Sequence, residues 1–390
     1  MTTDVFTPNL DAVRRAFDAN FTASDELGAA VSVWRDGVEI LALAGGHRDR
    51  AGSRPWKPTT LAPVFSATKA PAALCALLAL DAADLPLEAP VAEAWPEFAA
   101  GDKTSVTFAH VLSHTAGLGA LDAPPPIDDY AAVIHALEQQ TPLWPPGTAQ
   151  GYHARTFGFL LDEIVRRLTG AASLGEFFHR TLARPLGLDF WIGLPDSESA
   201  RMAEVMPGKL RADPATQAFV KAWSDPASLT RRTFTSPRGY NSPAEYNLPA
   251  FRTAGFAGLG GVASARGLAG FHALLAAGGL HQGTRLIPER VLRQLETPLS
   301  QADDLVLLAP AAFAAGVMKD PLDAQGQKQR RHFGPSLRAF GHPGAGGCLG
   351  FADPEHGLAF AYVMNRLEPG ALPGAKPLAL VEALCAPLSA

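Results

Sequence analysis

The chain has 390 residues, 47% of them hydrophobic, and a formal net charge of −5. This length provides for two compact domains with ample cores, or for one domain interrupted by another. The nearly balanced charge argues against a nucleic-acid partner and against a membrane-surface partner.

The first part of the chain predicts a helix followed by strands. Apolar residues at helical spacing between Leu10 and Phe21 predict an amphipathic helix. Two extended segments, 29–34 and 38–44, flank Asp36-Gly37, which is a strong hairpin signal. A short extended run over 61–65 then precedes a strongly apolar helical run over 70–80. The chain therefore opens with a helix and two paired strands.

The middle of the chain predicts helices and loops. Apolar spacing over 157–168, ending before Gly170, indicates an amphipathic helix. The stretch 213–251 is rich in Pro, Ser, Asn and aromatic residues without a sustained period. Such a long surface excursion is typical of functional segments.

Towards the end of the chain the extended pattern returns. Segment 267–277 is helical, 339–365 contains two extended segments about a turn at 353–357, and a last helix covers 377–385. We therefore predict an α+β fold. Residues 1–69 and 255–390 form one discontinuous α/β domain, and 70–254 form an inserted, mainly helical domain that includes the excursion 213–251.

Cysteine usage and the N-terminal sequence indicate the compartment. Cys75, Cys348 and Cys385 show no Cys-x-x-Cys spacing, so we expect no disulfide framework. The start of the chain lacks a basic segment followed by an apolar one, and no uncharged run reaches the length of a membrane span. We expect a cytoplasmic protein with no membrane partner.

Ser66-Ala67-Thr68-Lys69 is the most informative motif. If a helix begins at Ser66, the serine and Lys69 share one face, and an amine lies beside a hydroxyl nucleophile. The unpaired N–H groups at the helix start would stabilise an oxyanion there. Alternatively, the serine only caps the helix and the lysine is solvated.

Two further segments carry chemistry. Tyr152 follows the rigid turn Trp144-Pro145-Pro146-Gly147, where its phenol can relay protons in a cleft; alternatively, it is an interfacial tyrosine with a packed ring. The glycine-rich segment 341–347, on the first C-terminal strand, indicates close approach of another backbone or a ligand. Its spacing fits neither the dinucleotide nor the Walker phosphate loop.

The order of these motifs resembles the serine hydrolases with the class C β-lactamase fold. This group includes the family VIII carboxylesterases, penicillin-binding D,D-peptidases and related D-aminopeptidases, and the resemblance runs over 29–366. The motifs that carry it are Val64-Phe65-Ser66-Ala67-Thr68-Lys69, His110-Val111-Leu112-Ser113-His114-Thr115-Ala116-Gly117-Leu118, Pro146-Gly147 with Tyr152-His153-Ala154, Arg184-Pro185-Leu186-Gly187-Leu188 and Gly341-His342-Pro343-Gly344.

The resemblance implies both the fold and the catalytic residues. An antiparallel sheet built from both chain ends, flanked by helices, would carry an inserted helical domain. Ser66 would attack the substrate with Lys69 and Tyr152 as its hydrogen-bonded base pair, and the N–H groups of Ser66 and Ala345 would hold the oxyanion. The sequence leaves open whether Lys69 or Tyr152 accepts the proton.

Two departures from the β-lactamase motifs favour neutral esters. Ala154 stands where the Tyr-x-Asn pattern has an amide, and His342-Pro343 replaces the lysine and hydroxyl residue of Lys-Thr-Gly. Anionic β-lactams would lose contacts at both places. We expect a carboxylesterase for small or short-chain esters. One alternative is an amide hydrolase, either a β-lactamase or an enzyme like the D,D-peptidases or D-aminopeptidases. The second alternative is a sensor that is acylated without turnover.

The substrate-binding residues expected are His342, Gly344, Ala154, Trp191 and Tyr240. Trp191, Phe234, Tyr240, Tyr246 and Phe251 offer aromatic pocket walls, although core packing explains each of them as well. No cofactor is expected. No metal is expected either, because His110 and His114, which are four residues apart, lack the glutamate of a zinc-binding helix. The oligomeric state is open.

Overall fold

A computed structural model describes residues 6–209 and 217–388. Its helices are α1 (Leu10–Ala23), α2 (Lys69–Ala82), α3 (Phe108–Leu112), α4 (Tyr130–Gln139), α5 (Thr156–Thr169), α6 (Leu174–Phe178), α7 (Gln217–Ser224), α8 (Leu229–Thr235), α9 (Pro243–Tyr246), α10 (Pro249–Thr253), α11 (Ala265–Ala276), α12 (Glu289–Glu296) and α13 (Ala375–Cys385). Its strands are β1 (Gly28–Arg35), β2 (Val38–Gly46), β3 (Ala62–Phe65), β4 (Phe190–Ile192), β5 (Met206–Pro207), β6 (Gly261–Ala263), β7 (Leu280–His281), β8 (Thr284–Arg285), β9 (Ser300–Asp303), β10 (Pro310–Phe313), β11 (Met318–Lys319), β12 (Phe340–Pro343), β13 (Leu349–Asp353), β14 (Leu358–Met364) and β15 (Arg366–Leu367).

The main sheet is antiparallel and joins the two ends of the chain, as predicted. Its eight strands lie in the order β2-β1-β14-β13-β12-β11-β10-β9. Ala29 on β1 pairs with Met364 on β14, so the first strand lies beside the last long one. Asp36 and Gly37 both adopt positive φ, of 49° and 77°, in the predicted hairpin turn, as a tight turn between paired strands requires.

The C-terminal part of the sheet holds one strand more than the sequence predicts. The expected hairpin about 353–357 is present as β13 and β14. A further strand, β12, precedes them and pairs with β13, so 339–365 contains three strands rather than two. Only 340–343 of the glycine-rich segment is extended, because the chain turns into a 3₁₀ helix, Ala345–Gly347, that the alternation pattern did not reveal.

Helix α2 forms the centre of the molecule. It is apolar all round and eleven of its fourteen residues are buried, which is typical of a core helix rather than a surface helix. Helix α5 packs against it, α11 packs on β1, β13 and β14, and α1 packs against α13. The amphipathic helix predicted over 157–168 is α5, and Gly170 ends it in the left-handed conformation with φ 69°.

A small sheet, β3-β6-β4, supports the start of α2. Strand β4 lies within the segment predicted as the helical domain, yet it pairs with β6 beyond that segment's end. The two parts of the chain are thus connected by strand pairing at this point. The division into 1–69 with 255–390 and an inserted 70–254 stays a prediction.

The excursion 213–251, whose sequence shows no sustained period, contains several short helices. From residue 217 onwards it contains α7, α8, α9 and the start of α10, while 213–216 lie outside the described residues. Serines cap two of these helices, since Ser228 and Ser242 accept from backbone N–H groups, and prolines occupy the first turns of α9 and α10. These helices are too short to show a sustained period.

In the described parts of the chain, no helix has both the length and the apolar character needed to cross a membrane.

Candidate active site

The candidate nucleophile stands on a sharp turn between β3 and α2. Phe65, the last residue of β3, has φ 46°, a strained conformation for a phenylalanine. Ser66–Thr68 then form one 3₁₀ turn and the α-helix begins only at Lys69, so the helix does not begin at the serine. The Thr68 hydroxyl fixes the turn: it donates to the Phe65 carbonyl at 2.5 Å and accepts from the N–H of Gly261 at 2.9 Å.

Lys69 lies directly beside the serine. Its Nζ is 3.4 Å from Ser66 Oγ and donates to the carbonyls of Ala154 and Gly258, both at 2.7 Å. Lys69 is 0% exposed, so its amine is not solvated. The alternative of a capping serine with a solvated lysine is therefore wrong.

The electrostatics of Lys69 favour a neutral amine. Among the described residues, no carboxylate forms an ion pair with it. Burial without a counter-charge holds the pKa of Lys69 well below its usual value of 10.5. With two N–H bonds directed at carbonyls, the remaining position of a neutral amine faces the serine hydroxyl. This arrangement suits a proton acceptor.

Two glycines place one of those carbonyls. A Cβ on Gly158 of α5 would lie 2.2 Å from the backbone nitrogen of Gly258. Any side chain there would push the 258 segment away from α5. The close approach brings the Gly258 carbonyl within reach of Lys69.

Tyr152 stands in the loop before α5 and is 3% exposed. Lys69 Nζ lies 4.9 Å from the centre of its ring. The carboxylate of Asp304 accepts from the Tyr152 backbone N–H at 3.1 Å, and also from Val306 and Leu307 at 2.9 and 2.8 Å. Asp304, which the sequence did not single out, therefore fixes the tyrosine's backbone.

The Tyr152 phenol is a neutral group in this environment. Its buried hydroxyl forms no hydrogen bond within the distance and angle limits with another described residue, although the Ser66 hydroxyl is close enough to affect the pKa of the phenol. Burial raises the pKa of Tyr152 above its usual range, and the Ser66 hydroxyl opposes that shift only in part. A phenolate is thus disfavoured.

His342 lies behind the tyrosine and is also neutral. Its Nδ1 donates to the Pro343 carbonyl at 2.8 Å, and its ring centre is 5.9 Å from that of Tyr152. Burial lowers the pKa of His342 to about 3. The residue at the position of the family's lysine therefore supplies no positive charge.

Gly344 and Ala345 bring a second backbone amide towards the serine. A Cβ on Gly344 would lie 2.2 Å from the Val64 carbonyl, so only glycine allows this close approach to β3. Ala345 begins a 3₁₀ turn, as Ser66 does, and both residues line one cavity. The N–H at the first position of such a turn has no partner within the turn, which suits an oxyanion.

The cavity at Ser66 has a volume of about 340 Å³. Its lining is Phe65, Ser66, Ala154, Arg155, Phe219, Val220, Trp223, Phe234, Tyr246, Leu259, Ala345, Pro369 and Gly370. Ala154, Phe234 and Tyr246 are thus placed where the sequence analysis expected them. His342 and Gly344 lie beside the site without lining this cavity.

Trp191 and Tyr240, expected to bind substrate, do not line this cavity. Trp191 belongs to a small apolar cluster and stacks on His179 with ring centres 4.9 Å apart. Tyr240 packs against Phe251 and Phe256 in the core, and Phe251 does not reach the cavity either. Ordinary packing, the alternative given for these residues, therefore explains Trp191, Tyr240 and Phe251.

Helix α7 supplies lining residues that sequence reasoning missed, namely Phe219, Val220 and Trp223. Arg155 was missed as well. It is 5% exposed, and its guanidinium donates to the carbonyls of Pro237, Gly239 and Tyr240 and to Asn241 Oδ1, at 2.6–2.9 Å. Burial lowers its pKa to about 10, so it stays protonated at neutral pH. Arg155, the residue after Ala154, thus binds the segment 237–241.

No group of three or more His, Cys, Asp and Glu side chains within 6–209 and 217–388 is arranged to hold a metal ion. His110 and His114, which the sequence analysis considered as zinc ligands, each accept a hydrogen bond from the backbone. His114 Nδ1 accepts from the His153 N–H at 3.1 Å, and His110 Nδ1 accepts from Thr107 in the cap of α3.

Fold and site together define a serine hydrolase with the β-lactamase fold. The profile of the Beta-lactamase family matches residues 13–384, and the chain belongs to this family. Esterase/beta-lactamase LipL of Mycobacterium tuberculosis is 33% identical over 92% of this chain and 82% of the relative.

Two solved structures show the same fold over nearly the whole chain. A family VIII carboxylesterase superposes with a TM-score of 0.85 at 32% identity, covering 98% of this chain and 99% of its own. A novel penicillin-binding protein homologue from Caulobacter crescentus gives 0.83 at 35% identity, covering 98% of each chain. The predicted family and α+β fold are confirmed.

Proposed function

We propose that this protein is a carboxylesterase that hydrolyses small uncharged esters through an acyl-enzyme on Ser66. One observation carries the proposal: Ser66 lines a largely apolar cavity, and its Oγ lies 3.4 Å from the Nζ of a buried lysine that pairs with no carboxylate in the described parts of the chain. The relatives named as esterases support ester hydrolysis as the activity.

Lys69 is the proton acceptor in the mechanism that we infer. Its neutral amine takes the proton of the Ser66 hydroxyl as Oγ attacks the ester carbonyl. The carbonyl oxygen becomes an oxyanion that the N–H groups of Ser66 and Ala345 stabilise. When the tetrahedral intermediate collapses, the alcohol oxygen leaves with one proton and the acyl group stays on Ser66. Water then attacks this ester by the same steps and releases the acid.

Tyr152 serves as a proton relay rather than as the initial base. The raised pKa of the phenol keeps its proton in place at neutral pH. A neutral phenol beside Ser66 can donate to the leaving oxygen and regain a proton from the Lys69 ammonium. The transfer thus ends with Lys69 neutral and ready for the second step.

The charge distribution favours neutral esters over β-lactams. Neutral His342 offers a substrate carboxylate no positive charge. Arg155 is the one cationic residue that lines the cavity within 6–209 and 217–388, and its guanidinium already donates to four oxygens. Ala154, which lines the cavity, has no side-chain amide for an acylamido group. A β-lactam would enter without these contacts.

Steady-state turnover tests the proposal. Nitrophenyl acetate and butyrate should be hydrolysed at least about a hundredfold more efficiently, as kcat/KM, than benzylpenicillin, because two lost polar contacts of about 1.5 kcal/mol each give that ratio. Ser66→Ala should abolish turnover and the acyl-enzyme detected by mass spectrometry.

Ser264→Ala is a matched control. Ser264 caps α11 by accepting from the Gly267 N–H at 3.1 Å, so its loss should cost about 1 kcal/mol of stability and leave turnover intact. Comparable efficiency towards penicillin would favour the β-lactamase alternative. An acyl-enzyme that forms without release would favour the sensor alternative.

A further inference from the structure

Aromatic rings from α7 and α8 form one wall of the cavity at Ser66. Phe219 and Trp223 on α7 stack with ring centres 6.2 Å apart and planes 22° apart. Phe234 on α8 meets both of them edge-on, at 5.5 and 5.7 Å. The Arg231 guanidinium lies 4.6 Å from the centre of the Trp223 ring and holds the indole in place. This wall is a set of rings in fixed orientations.

A second pair of rings lines the same cavity next to the serine. Phe65, the residue before Ser66, meets Tyr246 edge-on with ring centres 5.1 Å apart and planes 72° apart. Aromatic rings attract one another in edge-on and offset arrangements, beyond the effect of burying apolar area. A ligand bound in this cavity therefore meets rings of both sets.

The lining selects against charge. Among the described residues the lining contains no carboxylate, and its one cation, Arg155, donates to backbone and amide oxygens. An ionised group in this cavity would lose hydration without gaining an unpaired opposite charge from the described lining, which is unfavourable. The bound group is therefore uncharged.

The volume sets the size of the group. An apolar cavity of about 150 Å³ is enough to hold one benzene molecule. The 340 Å³ at Ser66 thus accommodates one aromatic ring together with the ester group and a short second substituent.

From the rings, the charge and the volume we infer that this cavity binds an uncharged aryl group, and that the preferred substrates are esters with one aromatic ring. The inference rests on the proposed ester hydrolysis at Ser66. The ring belongs either to the acid or to the alcohol, and both sources present the same chemistry to the walls.

Matched pairs of esters test the aromatic preference. Methyl phenylacetate and methyl cyclohexylacetate place the ring on the acid side, while benzyl acetate and cyclohexylmethyl acetate place it on the alcohol side. Cyclohexyl is similar in size and at least as apolar, so the ratio of kcat/KM within a pair, divided by the ratio for hydroxide, reports ring contacts rather than burial. The aryl ester should be preferred about three- to tenfold on one side.

Variants assign the preference to the wall. Trp223→Leu and Phe234→Leu should remove most of it, and Trp223→Phe, which keeps a ring, should retain part. Trp191→Leu is the matched control, because Trp191 lies outside the cavity, and it should leave the ratio unchanged. Circular dichroism verifies that each variant is folded.

The outcomes distinguish this inference from the proposed function. Ratios near one on both sides, or a preference that survives in both leucine variants, would overturn the aryl site while ester hydrolysis stands. If none of the four esters is turned over, the proposed function fails. Saturation-transfer NMR then still compares binding of benzyl alcohol and cyclohexylmethanol, and equal binding would refute the aryl site.

Discussion

Replacing Lys69 by methionine should separate the chemistry of the site from its stability. Methionine is about as long and fills the same buried space, but it cannot accept a proton from Ser66. Loss of a general base lowers rates by about 10²- to 10⁴-fold, so acylation should fall by at least about a hundredfold. The two side chains are 3.4 Å apart. This contact has to shorten to about 2.6–3.2 Å in the substrate complex for the proton to move.

The stability cost comes from the two carbonyls that Lys69 contacts. Without the amine, the buried carbonyls of Ala154 and Gly258 lose a donor, and each loss costs about 1–3 kcal/mol. Part of this cost is offset because the unfolded chain no longer has to give up a solvated ammonium on folding. A net destabilisation of about 1–4 kcal/mol follows.

Lys103 provides the matched control. It is also 0% exposed, and its Nζ donates to the carbonyls of Ala100, Glu138 and Gln140 at 2.5, 2.8 and 2.7 Å. It lies outside the cavity at Ser66. Lys103→Met should therefore lose similar stability and acylate like the parent.

Stopped-flow release of nitrophenolate measures acylation, and urea unfolding of the same preparations measures stability. A folded Lys69→Met protein that acylates within about tenfold of the parent would refute Lys69 as the base. Equal losses of acylation in the Lys69 and Lys103 variants would show that the decrease reports stability alone.

Three further predictions concern the surroundings of Ser66. Because only a deprotonated Lys69 accepts a proton, kcat/KM should rise with pH about a midpoint below 10.5. The same rise should persist in the slower Tyr152→Phe variant, since the pKa of the phenol is raised. Loss of the rise in this variant would assign the base role to the phenol. Asp304→Ala removes the acceptor of three backbone N–H groups and should cost about 2–4 kcal/mol of unfolding free energy, measured in urea, and lower kcat. Gly344→Ala places a Cβ 2.2 Å from the Val64 carbonyl and should shift the turn at Ala345, lowering kcat by about a hundredfold while KM changes little; a parental kcat would remove this turn from oxyanion binding.

Local signals predicted the parts of the fold that local chemistry determines. The Asp36-Gly37 turn, the helix ending at Gly170 and the spacing of Ser66 and Lys69 each depend on a few neighbouring residues. The family resemblance added the order of motifs, and with it the antiparallel sheet. The turn, the end of the helix and the Ser66–Lys69 spacing were predicted because short-range geometry leaves few alternatives.

The cavity walls could not be predicted in the same way. Trp191 and Trp223 are both tryptophans in the middle of the chain, yet only Trp223 reaches Ser66. The position of α7 depends on its packing against α8. The segment 237–241 that follows α8 is held by Arg155, which is distant in sequence. Residue type alone does not distinguish a lining ring from a core ring.

The charge states of the buried groups lead to one conclusion about the substrate. Burial lowers the pKa of Lys69, which favours a neutral acceptor beside Ser66. Burial also brings the pKa of His342 to about 3, so His342 offers a substrate anion no positive charge. Arg155 remains charged but has its partners within the protein. A neutral ester meets no unpaired charge in such a cavity, whereas a carboxylate would add one without compensation. In the proposed mechanism, the burial that favours Lys69 as the base thus also disfavours charged substrates.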